Sequence, residues 1–378
     1  MAAIAFTGEL GISGSVEHTG YTRYDVARGL SAFVVFVAHT NQVFIWRFYQ
    51  PASWMEMVSG WAARSAVLAF FLLSGLLITK SIISNIKRNT YFEPIDYLFS
   101  RIARLYPPLL FALLLTVAVV SAIHFFGLPG SNGPLGAVRP TGVSFTFTEL
   151  IRALLLYDGM TEADGPLWTL YIEVKFYIAA MGIAMVVRGR SPATRIAGVA
   201  LATGAIWLGL GLYKFWFFAI VWMLGACANI PAVKSPIVFL PVAIFAIFLG
   251  YIYPAPYVDY VDNKIGLMIQ TAGCVVVVYA LLLNPWAEFK YPSWLRQTGD
   301  FSYTLYVAHF PMLALGLSLS LSIDSQSFPL AVAGATLSAA ASLAMVIVFA
   351  KWLEDVPKYR KFLYSIFRQK KLANMTQS

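Results

Sequence analysis

The sequence predicts an all-α membrane protein, a polytopic helical bundle of about ten transmembrane helices with both termini cytoplasmic. Three observations predict it. Hydrophobic residues make up 59% of the 378 positions and charged residues 12%, about half the charged fraction of a soluble domain, and mean hydropathy is +0.71. The apolar residues fall into runs of about 20, the length that crosses a bilayer as a helix. The basic residues collect in alternate connections between those runs. Other classes are excluded by the same numbers. A disordered chain lacks apolar surface. Two cysteines, Cys227 and Cys274, both inside apolar runs, do not make a disulfide scaffold. The net charge of +9 sits between spans, where it sets topology, so no nucleic-acid partner is expected.

Taken in chain order, residues 1–23 read as a flexible cytoplasmic tail. The first Lys or Arg is Arg23, so the positive start of a signal peptide is missing. Residues 24–353 form the membrane domain. Its ten apolar segments are 26–46, 58–79, 105–126, 167–187, 196–212, 215–228, 237–252, 265–283, 302–321 and 330–350. Residues 147–157 are apolar but too short to span, which fits an interfacial or re-entrant helix. Residues 354–378 are a basic cytoplasmic tail. Nineteen Lys/Arg fall in the tails and even-numbered connections and five in the odd-numbered ones, which assigns the basic side to the cytoplasm. The connection 127–166 is long and rich in Gly and Pro. A loop of that length in a compact bundle is often functional.

Ionisable residues inside a membrane are costly and mark candidate sites. Here they are Arg28, His39, Arg64, Glu173, Lys175 and His309. Arg28 and His39 share a face of the first span, about 16 Å apart. Arg28 also fits snorkelling to the inner interface. His39 and Glu173 both fall about 9–10 Å below the outer end of their spans. A carboxylate at that level would hold one imidazole tautomer and raise its basicity. Lys175, two residues from Glu173 and on a different face, is expected to form a supporting ion pair or to snorkel, and His309 to pack helices together or to join the chemistry. Arg101 and Arg104 are i, i+3 neighbours. Their two planar forks suit phosphate, or lipid head groups. Ser74-Gly75 is a small pair in a bulky run and allows close helix approach. No metal-ligand spacing is present.

In order along the chain, these residues resemble membrane acyltransferase family 3. Tyr24-Asp25-Val26-Ala27-Arg28-Gly29, with His39 after ten intervening residues, resembles the family's opening block. Phe70-Phe71-Leu72-Leu73-Ser74-Gly75, Arg101-Ile102-Ala103-Arg104-Leu105-Tyr106-Pro107 and Trp168-Thr169-Leu170-Tyr171-Ile172-Glu173-Val174-Lys175-Phe176-Tyr177 resemble its next three. Ser302-Tyr303-x-x-Tyr306-x-x-His309 and Glu354-Asp355-Val356-Pro357 are weaker matches. Thr169 and Lys175 depart from the usual residues.

The resemblance, to the stand-alone form without an appended esterase-like domain, implies an integral membrane O-acyltransferase of the bacterial inner membrane. It would move an acetyl or other acyl group from cytoplasmic acetyl-CoA, a substrate rather than a bound cofactor, to a hydroxyl on an extracytoplasmic carbohydrate or glycolipid. Polysaccharide O-acetylation is the typical outcome, and membrane lipids are the only other partners implied. His39 and Glu173 are then the expected catalytic residues, with His39 as general base or transient acyl carrier. Arg28, Arg101 and Arg104 are expected to bind the donor. Asp25, Ser74, Trp168, Lys175, Tyr303 and His309 are expected to support them. A rival reading is a proton-coupled transporter with His39, Glu173 and His309 as a relay.

Overall fold

In the computed structural model, residues 22–49, 53–136, 139–212, 215–229, 273 and 292–375 are described. They form helices and connections, with no strand among them beyond a single bridge between Leu135 and Arg139. The helices are α1 (Thr22–Phe44), α2 (Trp54–Asn89), α3 (Pro94–Phe125), α4 (Phe147–Leu154), α5 (Leu167–Arg188), α6 (Pro192–Gly209), α7 (Phe215–Cys227), α8 (Ser293–Gln297), α9 (Ser302–Ile323), α10 (Phe328–Leu353) and α11 (Val356–Met375). A 3₁₀ turn, Thr298–Phe301, joins α8 to α9.

Five stretches are long and apolar enough to cross a membrane: Val58–Asn89, Pro94–Phe125, Leu167–Arg188, Ser293–Ile323 and Phe328–Leu353. The chain is thus a multi-pass helical membrane protein. Eight of the ten expected spans fall on described helices, and the segments 237–252 and 265–283 lie outside the described residues. α1 has the length to cross, but Asp25, Arg28, His39 and Asn41 dilute its apolar character. α7 has only 13 residues.

Apolar side chains build two cores on either side of a shared seam. One joins α2, α5 and α7 through Leu72, Phe71, Phe176, Phe218 and Trp222. The other joins α1, α3 and α9 through Phe36, Phe44, Ile123, Phe310 and Leu317. Val35, Ala66, Ala112 and Val307 fill the seam. The expected close approach at Ser74-Gly75 occurs on α7: a Cβ on Gly75 would collide with the Trp222 carbonyl, and one on Gly225 with that of Leu72. α10 turns most of its surface outward, as a helix facing lipid does.

Two connections carry the rest. The segment 147–157 does contain a short helix, α4, opened by a capping box in which Thr146 and Glu149 bond each other's backbone amides. The basic C-terminal segment, expected as a tail, is helical over Val356–Met375 and lies against α3. Phe99 meets Tyr364 and Phe367 edge-on there, at ring separations of 5.1 and 5.8 Å. Pro107 and Pro108 stand in tandem inside α3, and Pro311 inside α9.

Candidate functional site

At the basic end of the bundle, α1, α2, α3, α5 and α9 enclose a cavity of about 440 Å³. Its geometry begins with two glycines. Gly29 on α1 and Gly299 before α9 sit so close that a Cβ on Gly299 would lie 2.8 Å from Asp25, and one on Gly29 would strike Thr298. That approach lets the Arg28 guanidinium reach the start of α9. It donates to Ser302 Oγ at 2.9 Å and to the Gly299 carbonyl at 2.9 Å, and pairs with Asp25 at 3.4 Å. Arg28 is therefore built into the cavity wall rather than extended to the interface.

Arg101 and Arg104 enter the same cavity from one face of α3. The Arg101 guanidinium lies over the rings of Tyr97 and Tyr177, at 5.6 and 5.9 Å. It donates to Ser100 Oγ at 3.2 Å, and its shielded Nε has no partner among the described residues. Arg104 lines the cavity. Buried donors left unbonded cost about 1–3 kcal/mol each, so this arrangement is suited to an anion. Glu354 braces the start of α9. Its carboxylate accepts from the amide and hydroxyl of Thr304, at 2.8 and 2.7 Å, satisfying an otherwise orphaned amide in the first turn of α9.

Glu173 lines the inner part of the cavity. It accepts from the Tyr177 hydroxyl at 2.5 Å, while Trp222 Nε1 donates to Ser74 Oγ at 3.2 Å beside that hydroxyl. A smaller pocket of about 30 Å³ shares Phe70, Glu173 and Tyr303 with the cavity and continues to Thr169 and Tyr306. The Thr169 and Tyr306 hydroxyls are 2.7 Å apart. His309 follows one turn beyond Tyr306 on α9.

His309 and His39 form a pair. His309 Nε2 and His39 Nδ1 are 2.9 Å apart, the ring planes lie within 21° of each other, and Phe36 and Phe310 flank them edge-on. The second nitrogen of His309, Nδ1, lies 2.8 Å from the Leu305 carbonyl. A carbonyl only accepts, so neutral His309 carries its proton on Nδ1 and its lone pair on Nε2. His39 must then donate from Nδ1, which leaves a lone pair on His39 Nε2. The chain of bonds thus fixes the tautomer a base requires.

The long connection 127–166 closes over this pair. Arg139 lies 4.5 Å above the Phe310 ring and donates to the carbonyls of Glu162 and Thr161, at 2.5 and 3.3 Å. Asp164 is fully buried beside Thr116 Oγ1, at 3.4 Å, and burial holds its carboxyl well above the usual carboxylate range. Lys175 is buried and donates to the carbonyls of Leu156 and Tyr157, at 2.9 and 2.6 Å. Those carbonyls belong to a strained turn in which Leu156 and Met160 both have φ of 55°. Trp168 packs on Phe218 at 5.4 Å.

The structure revises two expectations. His39 bonds His309 rather than Glu173, because equal depth fixes a level but not a direction. α1 packs against α9, whereas α5 packs against α2 and α6. Lys175 neither forms an ion pair nor snorkels: it clasps the loop through the carbonyls of Leu156 and Tyr157. His309, expected either to pack helices together or to join the chemistry, bonds His39 across α1 and α9. Glu354 and Tyr177 stood inside matched blocks but carried no assigned role. Arg139 was the lone cation in the Gly- and Pro-rich part of the loop, the one signal that could have marked it. Asp164 lay just ahead of the Trp168 block and gave no signal of its own.

The described helices thus form a membrane bundle with an arginine-lined cavity at one end and a buried histidine pair beyond it. Residues 21–350 match the family model for an acyltransferase domain, that of acyltransferase family 3. The chain belongs to that family and is an acyltransferase. No curated protein and no solved structure matches it.

Proposed function

We propose that this protein moves an acetyl or similar acyl group from cytoplasmic acyl-CoA to a hydroxyl of an extracytoplasmic carbohydrate or glycolipid. It would do so in the bacterial inner membrane, through ten spans with both termini inside. The observation that carries the reading is the arginine-lined cavity with its unbonded Arg101 Nε. The smaller pocket that shares Glu173 and Tyr303 with it extends to Tyr306, one turn before His309, the partner of His39. The donor phosphates rest on Arg101, Arg104 and Arg28, and the thioester arm runs inward.

The chemistry then needs one base. His39 Nε2 takes the proton of the acceptor hydroxyl as its oxygen attacks the thioester carbonyl carbon. A C–O bond forms and the C–S bond breaks. The leaving thiolate recovers the proton from the imidazolium. His309 shares the positive charge through its hydrogen bond. General-base catalysis of this kind contributes about 10²–10⁴-fold. A transient acyl-His39 would use the same lone pair. Labelling of the protein in the absence of acceptor separates the two routes. Glu173 sits on the donor path, holding Tyr177 against Arg101. The acyltransferase domain favours transfer over a proton relay.

The test is His39→Ala. It is expected to abolish movement of radiolabel from acetyl-CoA to glycan or lipid in membrane vesicles, with normal insertion. Acetylation near the wild-type level in that variant would overturn the mechanism. Label that enters no acceptor with the wild-type protein would overturn the activity.

A further inference from the structure

We propose that the C-terminal helix completes the donor site, with Arg360 of α11 and Arg88 of α2 binding the phosphate at the nucleotide end of acyl-CoA, the 3′-phosphate of its ribose. The proposal rests on reading the basic cavity as the donor site.

Asp96, in the first turn of α3, organises this end of the cavity. Its Oδ1 accepts from the Arg360 guanidinium and from the Tyr364 hydroxyl, the latter at 2.6 Å. Its Oδ2 accepts from Arg88 at 2.9 Å and from the Asn85 amide at 3.3 Å. One carboxylate therefore holds two guanidiniums, and the group keeps one positive charge in excess. Arg360 Nε is shielded from solvent and has no partner among the described residues. A guanidinium has five donors, so it can keep Asp96 on one edge and take a phosphate on the other. The helix does not need this arginine merely to stay in place, because Tyr364 and Phe367 already dock it on Phe99.

Arg88, Asp96 and Arg360 line the same cavity as Arg101 and Arg104. Along α3, Asp96 lies five residues before Arg101, about 7.5 Å, and eight before Arg104, about 12 Å. An acyl-CoA carries its pyrophosphate nearer the thioester and a single phosphate one ribose further out. With the thioester arm directed past Glu173 and the pyrophosphate on Arg101 and Arg104, the single phosphate falls at the level of Asp96. Two arginines wait there.

The experiment is calorimetric titration of the full chain in lipid nanodiscs with coenzyme A and with 3′-dephospho-coenzyme A. The wild type is expected to prefer coenzyme A by more than about tenfold, since the 3′-phosphate meets two guanidiniums and one charge-assisted contact alone is worth about that. Arg360→Gln keeps a hydrogen-bond donor toward Asp96 and should lose about tenfold of that preference, while its affinity for the dephospho form stays unchanged. Arg88→Gln should behave alike and stands in if the first variant does not fold. Tyr364→Phe removes a bond to Asp96 without touching charge and should keep the preference. An undiminished preference in Arg360→Gln, or equal weakening of both ligands, overturns the proposal. Failure of the wild type to bind either ligand overturns the donor-site reading beneath it.

Discussion

Replacing His309 by Phe tests the tautomer argument most directly. Phenylalanine keeps a ring of similar size against Phe36, whose edge now meets His309 at 5.7 Å. It removes the acceptor that lies 2.9 Å from His39 Nδ1. His39 is left with two choices. It can keep the Nδ1 proton as a buried unbonded donor, which costs about 1–3 kcal/mol. Or it can move that proton to Nε2 and cease to be a base there. With about 1.4 kcal/mol to each factor of ten, transfer should fall roughly 5–150-fold. His309→Gln can still present an amide oxygen and should lose less. The assay is initial-rate incorporation of acetyl label in membrane vesicles at matched protein levels. The double variant with His39→Ala should be no slower than His39→Ala alone, as for residues acting as one unit. A Phe variant as fast as the wild type, or Gln and Phe variants equally slow, would refute the reasoning.

Arg101→Ala and Arg104→Ala should each weaken acetyl-CoA binding by about 1.5–3 kcal/mol, measured by titration in nanodiscs, and Arg→Lys should restore it only partly because an ammonium lacks the planar fork. Glu173→Gln should slow transfer by loosening Tyr177, and its loss should add to that of His309→Phe, since the two bond different partners; a strongly non-additive pair would return Glu173 to the histidine unit. Asp164→Asn should be more heat-stable than the wild type in detergent, with a gap that widens as pH rises from about 4. Above the ordinary pKa of about 3.9 the unfolded wild type ionises while buried Asp164 stays protonated, so the native state holds the extra proton and loses stability with rising pH. A gap that narrows with pH would contradict the burial argument.

The helices were legible because their signal is long and repetitive. Runs of about 20 apolar residues survive any local irregularity, and eight expected spans fall on described helices. The arginines of the cavity were legible for a similar reason, since i, i+3 spacing fixes a shared face before any packing is known. What the sequence could not supply was the direction in which each helix turns. His39 and Glu173 sit at matching depth, yet the choice between Glu173 and His309 as partner depends on α1 lying against α9. Contacts made by irregular segments were hidden altogether. Arg139, Asp164 and the Lys175 clasp depend on a loop whose path follows from turns with positive φ at Leu156, Gly159 and Met160. The C-terminal helix shows the opposite error. Its basic residues read as a tail, while Arg360, Tyr364 and Phe367, spaced i, i+4, i+7, carried the periodicity that lets a helix lie along α3.

The tandem prolines of α3 make that helix a jointed lever rather than a single rod. Neither Pro107 nor Pro108 can donate an amide, so the carbonyls of Ala103 and Arg104 lose their helical partners. The ladder is interrupted at the level of the arginine-lined cavity. On one side of the joint are Asp96, Arg101 and the docked C-terminal helix. On the other are Thr116 and the contacts that carry the long loop. Bending at this point costs less than bending anywhere else in α3, so the arm that carries Asp96 and Arg101 can give way while the arm bearing the loop holds its place over the histidines.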